Sequence, residues 1–498
     1  MVKYLKIFAK SILYGLVGIF LLIFTFILLL RAPSNQTLLA QYFSPKIEKA
    51  IGYPLTLKGI QIKFFDEVSF WGLRVKDPWG KDMIYIERLD INFNLSDLFL
   101  QGAKPTMEYA RLLHPRVHLI LEKKSGKINM NEFIDRLVRW LSSKNPSKSN
   151  ESSLFKIQGA EVVDGIFLLD DEQEKNLSSS THFDISHFSF IKINAKVNDF
   201  YVKGDTIGLQ TIGLQTIDPA SGFQVKKLDT HFMICDKQMR FDQLDLRFND
   251  SFLKDQVVMN YRNLDDLTQW IPKVRMVANL KKSQVKGEDV SRFIEAMSPY
   301  KGMYRLNGNL DGTVTNLSLK NFEIAFGQNS VLRGNFTFKG LPNIDQTQMD
   351  FDMKKSLFVP KDLAVFISPS AVSKMEMLGP VAFDGNFHGT NQRFKTMGKL
   401  NTGLGYMEGD VQMDLKDSMA LSAYQGEVKL RKFQLGKLLD LQDYLGNIDL
   451  EGKIKGHGFS KKSAQVDFDG RVSEIHFNSY DYKRVVFKGN FQKILRNV

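Results

Sequence analysis

The chain has 498 residues, of which 43% are hydrophobic and 12% aromatic, so it can bury large cores and does not have the composition of a disordered chain. Its 67 Lys and Arg residues outnumber 55 Asp and Glu residues, and the net charge of +12 suits an anionic membrane surface or nucleic acid. The charges are scattered and no nucleic-acid-binding motif is present. We therefore expect no nucleic-acid partner.

An uncharged segment near the amino terminus, residues 11–30, predicts a single transmembrane helix. At about 1.5 Å of rise per residue it covers the roughly 30 Å of a bilayer core. Lys3, Lys6 and Lys10 precede it, so the positive-inside rule places the amino terminus in the cytoplasm and the bulk of the chain beyond the membrane. A cleaved signal peptide is the alternative, but its apolar region is usually shorter and ends in small residues. We expect an uncleaved anchor.

Two helical segments are predicted in the first third of the chain. Residues 36–43 and 44–51 form a short broken helix, with Ser44 as N-cap, a proline at the next position and Gly52 just past the end. A second helix is predicted from Asn131 to Leu141. The stretch that follows, residues 142–153, is rich in Ser, Asn and Lys, which cannot support packing, so we predict a mobile surface loop.

Most of the remaining chain predicts strands. Residues 89–95 and 349–353, for example, alternate apolar and polar side chains, which is typical of half-buried strands. The duplicated pentad in TIGLQTIGLQT, residues 206–216, has an odd period that would place Ile207 and Ile212 on opposite faces. We predict a bend or bulge there.

A short glycine motif recurs in the carboxyl half of the chain. It consists of an apolar residue, a glycine and another apolar residue, each separated by one polar residue, and it occurs as LNGNL from Leu306, LRGNF from Leu332, FDGNF from Phe383, LEGKI from Leu450 and FKGNF from Phe487. Because side chains alternate along a strand, its apolar and glycine members share one face. The glycines permit bends in a curved sheet, and they also leave slots along a concave apolar face.

A longer repeat of about 73 residues spans the same region. Residues 289–294 resemble residues 362–367, and residues 436–439 occupy the equivalent place in a third copy. Such an array grows by adding strands to one sheet. The third copy has few residues after its glycine motif. We therefore expect that the chain is the amino-terminal portion of a longer bridge, or that another chain pairs with the edge from Val485 to Phe491.

The sequence carries no catalytic or metal-binding signature. Pro115 separates His114 from His118, and HExxH, GxSxG, CxxC and GxxxxGK[ST] are absent. We predict a protein that is not an enzyme, with no catalytic residue, no metal and no cofactor. A sheet with one apolar face must nevertheless cover it with a second sheet, with helices or with a ligand.

Several ordered segments together resemble the AsmA-like family, in particular its TamB-like members. They are IGYPLTLKGIQI at Ile51–Ile62, WGLRVKDPWGKDMIYIERLDINFN at Trp71–Asn94, HPRVHLILEKKSGKINMNEFI at His114–Ile134, FKIQGAEVVDGIFLLDD at Phe155–Asp171 and SGFQVKKLD at Ser221–Asp229. Each motif alone is loose, and their order and context carry the resemblance. The later helices and glycine strands also resemble the family.

The resemblance implies a mainly β protein of the Gram-negative envelope. An amino-terminal transmembrane helix would be followed by a long, curved, taco-like antiparallel sheet with a few short helices, whose apolar interior carries phospholipid acyl chains from the inner towards the outer membrane. The bulk of the chain would be periplasmic. The resemblance also implies a TamA-like outer-membrane barrel as partner, or a further carboxyl-terminal portion, since the chain has no room for the family's carboxyl-terminal domain.

The predicted segments and the resemblance together give a domain plan. Residues 1–33 would form the cytoplasmic tail and anchor, 34–141 a capping helix and first β-groove region, 142–153 the loop, 154–282 a second β-groove region, and 283–498 the helix-plus-strand repeats, the last one incomplete.

We expect the first and last apolar members of each glycine motif to line the trough: Leu306, Leu310, Leu332, Phe336, Phe383, Phe387, Leu450, Ile454, Phe487 and Phe491. The glycines Gly308, Gly334, Gly385, Gly452 and Gly489 would set its curvature or depth. The alternative function is a structural scaffold or assembly factor for outer-membrane proteins, without lipid transfer.

Overall fold

The computed structural model describes residues 21, 25, 33–63, 66–94, 107–123, 126–130, 132–134, 136–137, 154–174, 182–367, 369–416, 420–439, 441–458 and 465–492. Strands dominate these residues, as the sequence predicts. The chain divides into two compact units, Met1–Asn249 and Asp250–Val498, a division that falls inside the predicted region 154–282.

Strands β1 to β11 form the sheet of the first unit. They are β1 (Leu55–Thr56), β2 (Gly59–Lys63), β3 (Glu67–Lys76), β4 (Asp82–Phe93), β5 (Met107–Leu113), β6 (Arg116–Leu121), β7 (Leu154–Asp171), β8 (His187–Lys203), β9 (Thr206–Asp218), β10 (Phe223–Cys235) and β11 (Gln238–Phe248). Both β1 and β2 pair with β3, which pairs with β4. From β7 to β11 each strand pairs antiparallel with the next.

The sheet departs from antiparallel pairing at β5 and β6, which lie end to end between β4 and β7. Both strands pair antiparallel with β4 and parallel with β7. His114, with φ +48°, and Pro115 separate them, and a proline cannot donate to the ladder. The connection from β6 to β7 includes helical residues 132–134 and 136–137, and a crossover of this length can return the chain in the same direction.

The helix α1 (Pro33–Ile51) is continuous, so the predicted break and the N-cap role of Ser44 are wrong. Pro45 lies inside the helix, where it removes one backbone hydrogen bond without ending it. The predicted C-terminal glycine is confirmed: Gly52 has φ +69°, and its N–H donates to the Glu48 carbonyl at 2.7 Å. The last turn of α1 packs on a core formed with β1, β3 and β4.

Among the helices in the described part of the chain, none combines the length and apolarity needed to cross a membrane. The predicted anchor, residues 11–30, lies outside the described residues apart from Leu21 and Thr25. The predicted loop, residues 142–153, also lies outside them.

The bulge predicted in residues 206–216 is confirmed. Gly213 has φ +63°, and its N–H donates to Asp229 Oδ1 at 2.6 Å. The pairings of β9 with β8 and with β10 both shift register. Ile207 is half-buried whereas Ile212 is exposed, so the duplicated residues have different environments.

The second unit contains strands β12 to β24, each paired antiparallel with the next. They are β12 (Ser251–Asn260), β13 (Arg275–Lys286), β14 (Met303–Thr313), β15 (Asn316–Phe326), β16 (Ser330–Lys339), β17 (Gln348–Phe358), β18 (Val381–Gly389), β19 (Arg393–Thr402), β20 (Gly405–Asp414), β21 (Ala423–Gln434), β22 (Leu445–His457), β23 (Gln465–Phe477) and β24 (Tyr480–Gln492). This pairing of consecutive strands makes one continuous meander.

Short helices lie in the connections of this unit. The α-helices are α2 (Trp270–Lys273), α3 (Gly287–Ser291), α4 (Pro369–Glu376) and α5 (Leu435–Leu439), and the 3-10 helices are Leu264–Gln269, Glu295–Met297, Ile344–Gln346 and Pro360–Val365. Strands β14–β17 lie between α3 and the helix Pro360–Val365, and β18–β21 lie between that helix and α5. The sequence repeat thus corresponds to four strands and a short helix.

An aspartate at the helix of each of the first two repeats fixes the start of an earlier strand. Asp289 accepts hydrogen bonds from the Asp250 N–H at 3.0 Å and the Ser251 hydroxyl at 2.6 Å. Asp362 accepts from the Ser330 N–H at 3.1 Å and its hydroxyl at 2.8 Å. Since Ser251 and Ser330 begin β12 and β16, the two aspartates have equivalent roles: they satisfy N–H groups that the strand ladder leaves free.

Candidate functional site

Three rows of side chains cross the strands of the second unit on one face, following the strand register. The central row is Leu310, Leu319, Phe336, Phe351, Phe387, Thr396, Val411, Gly426, Ile454, Phe468 and Gly489. The glycine row is Phe322, Gly334, Met353, Gly385, Gly398, Gly409, Val428, Gly452, Gly470 and Phe487. The leucine row is Phe383, Leu400, Met407, Leu430, Leu450, Val472 and Val485.

We call the surface formed by these three rows the apolar face. Its positions carry no charge, and Thr396, its one polar member, donates its hydroxyl proton to the Asn386 carbonyl at 2.8 Å. Each strand adds one member to a row, and neighbouring strands lie about 4.8 Å apart. The face is therefore a strip that continues at right angles to the strands, with a similar apolar surface at every step.

Much of the apolar face is only half-buried. Along β19, Phe394, Thr396, Gly398 and Leu400 are half-buried, while Lys395, Met397 and Lys399 are exposed. Side chains on the inner face of a sandwich interdigitate with those of a second sheet and lose most of their exposure. Within the part of the chain that the structure describes, β19 shows no such burial on either side.

A ladder of phenyl rings joins four strands of the face. The ring centroids of Phe336 and Phe351 lie 5.3 Å apart, those of Phe351 and Phe387 5.5 Å, and those of Phe387 and Phe394 4.7 Å. The last two pairs are stacked, and the first is edge to face, which are both favourable arrangements. The ladder makes this part of the face a continuous aromatic surface.

The structure places nine of the ten predicted lining residues on this apolar side of the sheet, and the side chain of the tenth, Phe491, lies outside the described residues. Phe336, Phe383 and Leu450 are buried, with 2%, 8% and 8% exposure. Their neighbours cover them, so they support the face rather than present surface. The other six remain half-buried.

Two of the five predicted glycines adopt backbone conformations that other residues rarely take. Gly308 has φ +134° and Gly334 has φ +152°, and both lie beside shifts in strand register. A Cβ on Gly334 would overlap the Asp352 carbonyl oxygen. These glycines permit bulges, which bend and twist a strand locally.

The other three predicted glycines lie beneath phenyl rings. A Cβ on Gly385 would come within 2.9 Å of Cζ of Phe383, a Cβ on Gly452 within 2.9 Å of Cε2 of Phe468, and a Cβ on Gly489 within 2.8 Å of Cζ of Phe487. The protein's own phenyl rings therefore occupy the space that was predicted to form slots along the apolar face. Glycines of this kind allow a ring to lie close to the sheet.

The opposite face, which we call the charged face, carries a row whose sign alternates from strand to strand. The row is Asp384, Lys399, Glu408, Lys429, Glu451 and Arg471. Nearby cross-strand pairs are Lys395–Asp410 at 3.0 Å and Asp469–Lys488 at 2.9 Å. Opposite charges on adjacent strands stabilise the sheet modestly, and they keep this face in water.

The polar residues within the glycine motif have a structural role that was not predicted from the sequence. Asn335 accepts a hydrogen bond from the Asn321 N–H at 2.9 Å, and Asp384 accepts one from the Lys355 N–H at 2.7 Å. Both donors have positive φ, +48° and +51°, and lie where the ladder shifts. The sequence signal for this role is the recurrence of Asn directly after the motif glycine, or Asp directly before it.

A shallow, open hollow of about 400 Å³ lies near the described carboxyl end of the sheet. Its lining combines Ile454, Phe468 and Gly489 with the charged residues Lys453, Lys455, Asp467, Asp469 and Lys488. The described residues also contain no group of three or more His, Cys, Asp or Glu side chains placed to bind a metal ion. His114 lies 2.7 Å from Glu87 and 3.8 Å from Asp164, and His118 lies 2.5 Å from Asp170.

The fold and the apolar face together define the second unit as a repeating antiparallel sheet with one apolar and one charged face. No protein-family model, curated protein or solved structure matches the chain.

Proposed function

We propose that the chain is a periplasmic lipid conduit of the AsmA-like, TamB-like kind, anchored in the inner membrane by residues 11–30. Acyl chains of phospholipids would lie against the apolar face of a taco-like sheet and move towards the outer membrane. A TamA-like barrel or a further carboxyl-terminal portion would complete the path.

The central row is the observation that carries this proposal. It crosses eleven strands without a charge, and six of the predicted lining residues on its side of the sheet are half-buried. Moving an acyl chain from water onto such a surface releases about 25 cal/mol for each Å² of apolar area buried. No bond is made or broken in this transfer, so the mechanism requires no catalytic residue, cofactor or metal.

The direction of the rows supports movement as well as binding. A row at right angles to the strands offers a similar apolar contact every 4.8 Å or so, and a chain that slides along it exchanges one contact for the next. A deep pocket would hold the lipid at one place, whereas the hollow at Phe468 is shallow. Headgroups would remain in water at the open side of the sheet.

Neighbouring residues of β18 provide a matched test of this proposal. Phe387 belongs to the central row, and His388 points to the opposite face with 68% of its side chain exposed. The full chain would be purified in detergent and illuminated with a phosphatidylethanolamine that carries a diazirine on its acyl chain. We expect Phe387→Asp to lower the crosslink yield about tenfold, because a carboxylate on an apolar surface is costly to desolvate. His388→Asp should leave the yield unchanged.

Equal loss of crosslinking in the two variants would contradict the assignment of faces. A folded wild-type chain that gives no crosslink and copurifies with no lipid would contradict the conduit itself. That result would favour the alternative, a scaffold or assembly factor for outer-membrane proteins.

A further inference from the structure

Three phenylalanines of the apolar face share a local sequence in which a glycine follows two residues later. They are Phe383 in FDG, Phe468 in FDG and Phe487 in FKG. Residues i and i+2 of a strand lie on the same face, so each ring has a bare position beside it along its own strand. The three rings therefore share this arrangement along their own strands, β18, β23 and β24.

Each of the first two rings lies close to a pair of glycines on adjacent strands. A Cβ on Gly385 would be 2.9 Å from Cζ of Phe383, and a Cβ on its cross-strand partner Gly398 would be 2.6 Å from Cε2 of the same ring. For Phe468, the corresponding distances are 2.8 Å at Gly470 and 2.9 Å at Gly452, which are also cross-strand partners. One ring thus covers two glycines.

The position of these rings keeps the apolar face low above the backbone of the sheet. Side chains in strands normally stand roughly perpendicular to the sheet, and a phenylalanine in that position would project far above its neighbours. A ring that leans over glycine remains close to the backbone, because there is no Cβ beneath it. The two glycine positions and the ring together form the floor of the face, and neighbouring side chains cover the Phe383 and Phe468 rings, which are 8% and 9% exposed.

We propose that Phe383, Phe468 and Phe487 determine the depth of the apolar face, with the glycines beside them holding each ring close to the backbone, so that the surface on which an acyl chain lies stays low. This inference rests on the proposed function. It assigns the FxG sequence a specific task within the conduit, which is to limit the thickness of the hydrocarbon that the face admits.

Gly489 offers the cleanest test, because ring atoms of Phe487 are the closest atoms to its Cβ position, at 2.8, 2.9 and 3.9 Å. An added methyl group would therefore displace the ring and would not collide with backbone. With the full chain and the same diazirine phosphatidylethanolamine, we expect Gly489→Ala to lower the crosslink yield about fivefold by crowding the face. The double variant Gly489→Ala/Phe487→Leu should restore the yield, since the smaller side chain leaves the space open.

Gly403→Ala is the matched control. Gly403 lies between β19 and β20, outside the three rows, and the atom closest to its Cβ position is the Leu378 carbonyl oxygen at 3.2 Å. Its substitution should leave crosslinking unchanged. A yield in Gly489→Ala equal to that of wild type would overturn the inference, and so would a failure of Phe487→Leu to rescue it.

Two further measurements separate the possible causes of a negative result. A wild-type chain without any crosslink contradicts the proposed function, whereas normal crosslinking in both wild type and Gly489→Ala contradicts only the role of the rings. If circular dichroism shows that Gly489→Ala does not fold, Phe487→Leu alone provides the test. Removing the ring should raise the yield about twofold by deepening the face, and a lower yield would overturn the inference.

Discussion

The strand pairs from β13 to β18 differ from those between β18 and β21 in the regularity of their ladders. Every pair from β13–β14 to β17–β18 contains a shift in register. The pairs β18–β19, β19–β20 and β20–β21 contain none. The glycine motif occurs in both regions, so it does not by itself determine a bulge.

The glycines of the two regions have different structural roles. In the irregular region, Gly308 and Gly334 have positive φ and allow the backbone to bulge. In the regular region, Gly385 and Gly398 make room for the ring of Phe383. A motif of alternating apolar residues and glycine can therefore either bend a strand or lower its surface. Which of the two occurs depends on the register of the neighbouring strand.

Alanine substitution of one glycine from each region should separate these two roles. It should also give the largest change in the free energy of unfolding. Gly334→Ala introduces a side chain where φ is +152° and the Cβ would overlap backbone, so we expect the free energy of unfolding to fall by about 3 kcal/mol. Gly409→Ala, whose Cβ would lie 3.2 Å from the closest atom, the Glu427 carbonyl oxygen, should cost less than about 1 kcal/mol. Urea denaturation followed by circular dichroism measures both, and equal losses would remove the distinction.

Asp362, the aspartate that fixes the start of β16, gives a prediction of intermediate size for the free energy of unfolding. The third repeat has Gly436 at the equivalent place and therefore no carboxylate there. Burial alone would raise the pKa of the Asp362 carboxyl, but hydrogen bonds from Gln328, Ser330 and Asn329 hold it below its ordinary value of 3.8. Asp362→Asn should lower the free energy of unfolding by about 1 to 2 kcal/mol at neutral pH.

The pH dependence of that loss follows from the direction of the shift. A carboxyl whose pKa is lower in the folded state stabilises fully above its unfolded pKa, and this contribution disappears as the pH falls through the folded pKa. The difference between wild type and Asp362→Asn should therefore shrink below about pH 4, as urea titrations at several pH values would show. A difference that is constant from pH 7 to pH 3 would contradict the role of the ionised carboxylate.

The smallest expected effect lies on the charged face of the regular region. Lys395 and Asp410 are paired at 3.0 Å, but their side chains are 60% and 43% exposed, so water and salt screen the pair. We expect Lys395→Gln to change the free energy of unfolding by less than about 0.5 kcal/mol. A loss above about 1 kcal/mol in the same urea assay would indicate that the charge row acts as a coupled network.

The sequence predicted which side chains share a face more accurately than it predicted breaks in the elements. Alternation along β18 correctly places Phe383, Gly385 and Phe387 together, because a period of two is a property of the strand alone. The break expected at Ser44 was wrong: Pro45 lies inside α1, whose last turn packs on the first core, and a proline removes one backbone hydrogen bond without necessarily ending a helix. The burial of Phe336 could not be predicted, since it depends on neighbours from other strands.

Three properties could be predicted from the sequence: the protein is mainly β, its carboxyl half repeats, and one face of its strands is apolar. These properties follow from composition and from local periodicity, which require no knowledge of which strands meet. Two other facts required the folded structure: glycines from β18, β19 and β20 form one row, and the ring of Phe383 covers two of them. Both facts depend on register, and register is fixed by the hydrogen bonds and side-chain contacts between strands that are separate in sequence.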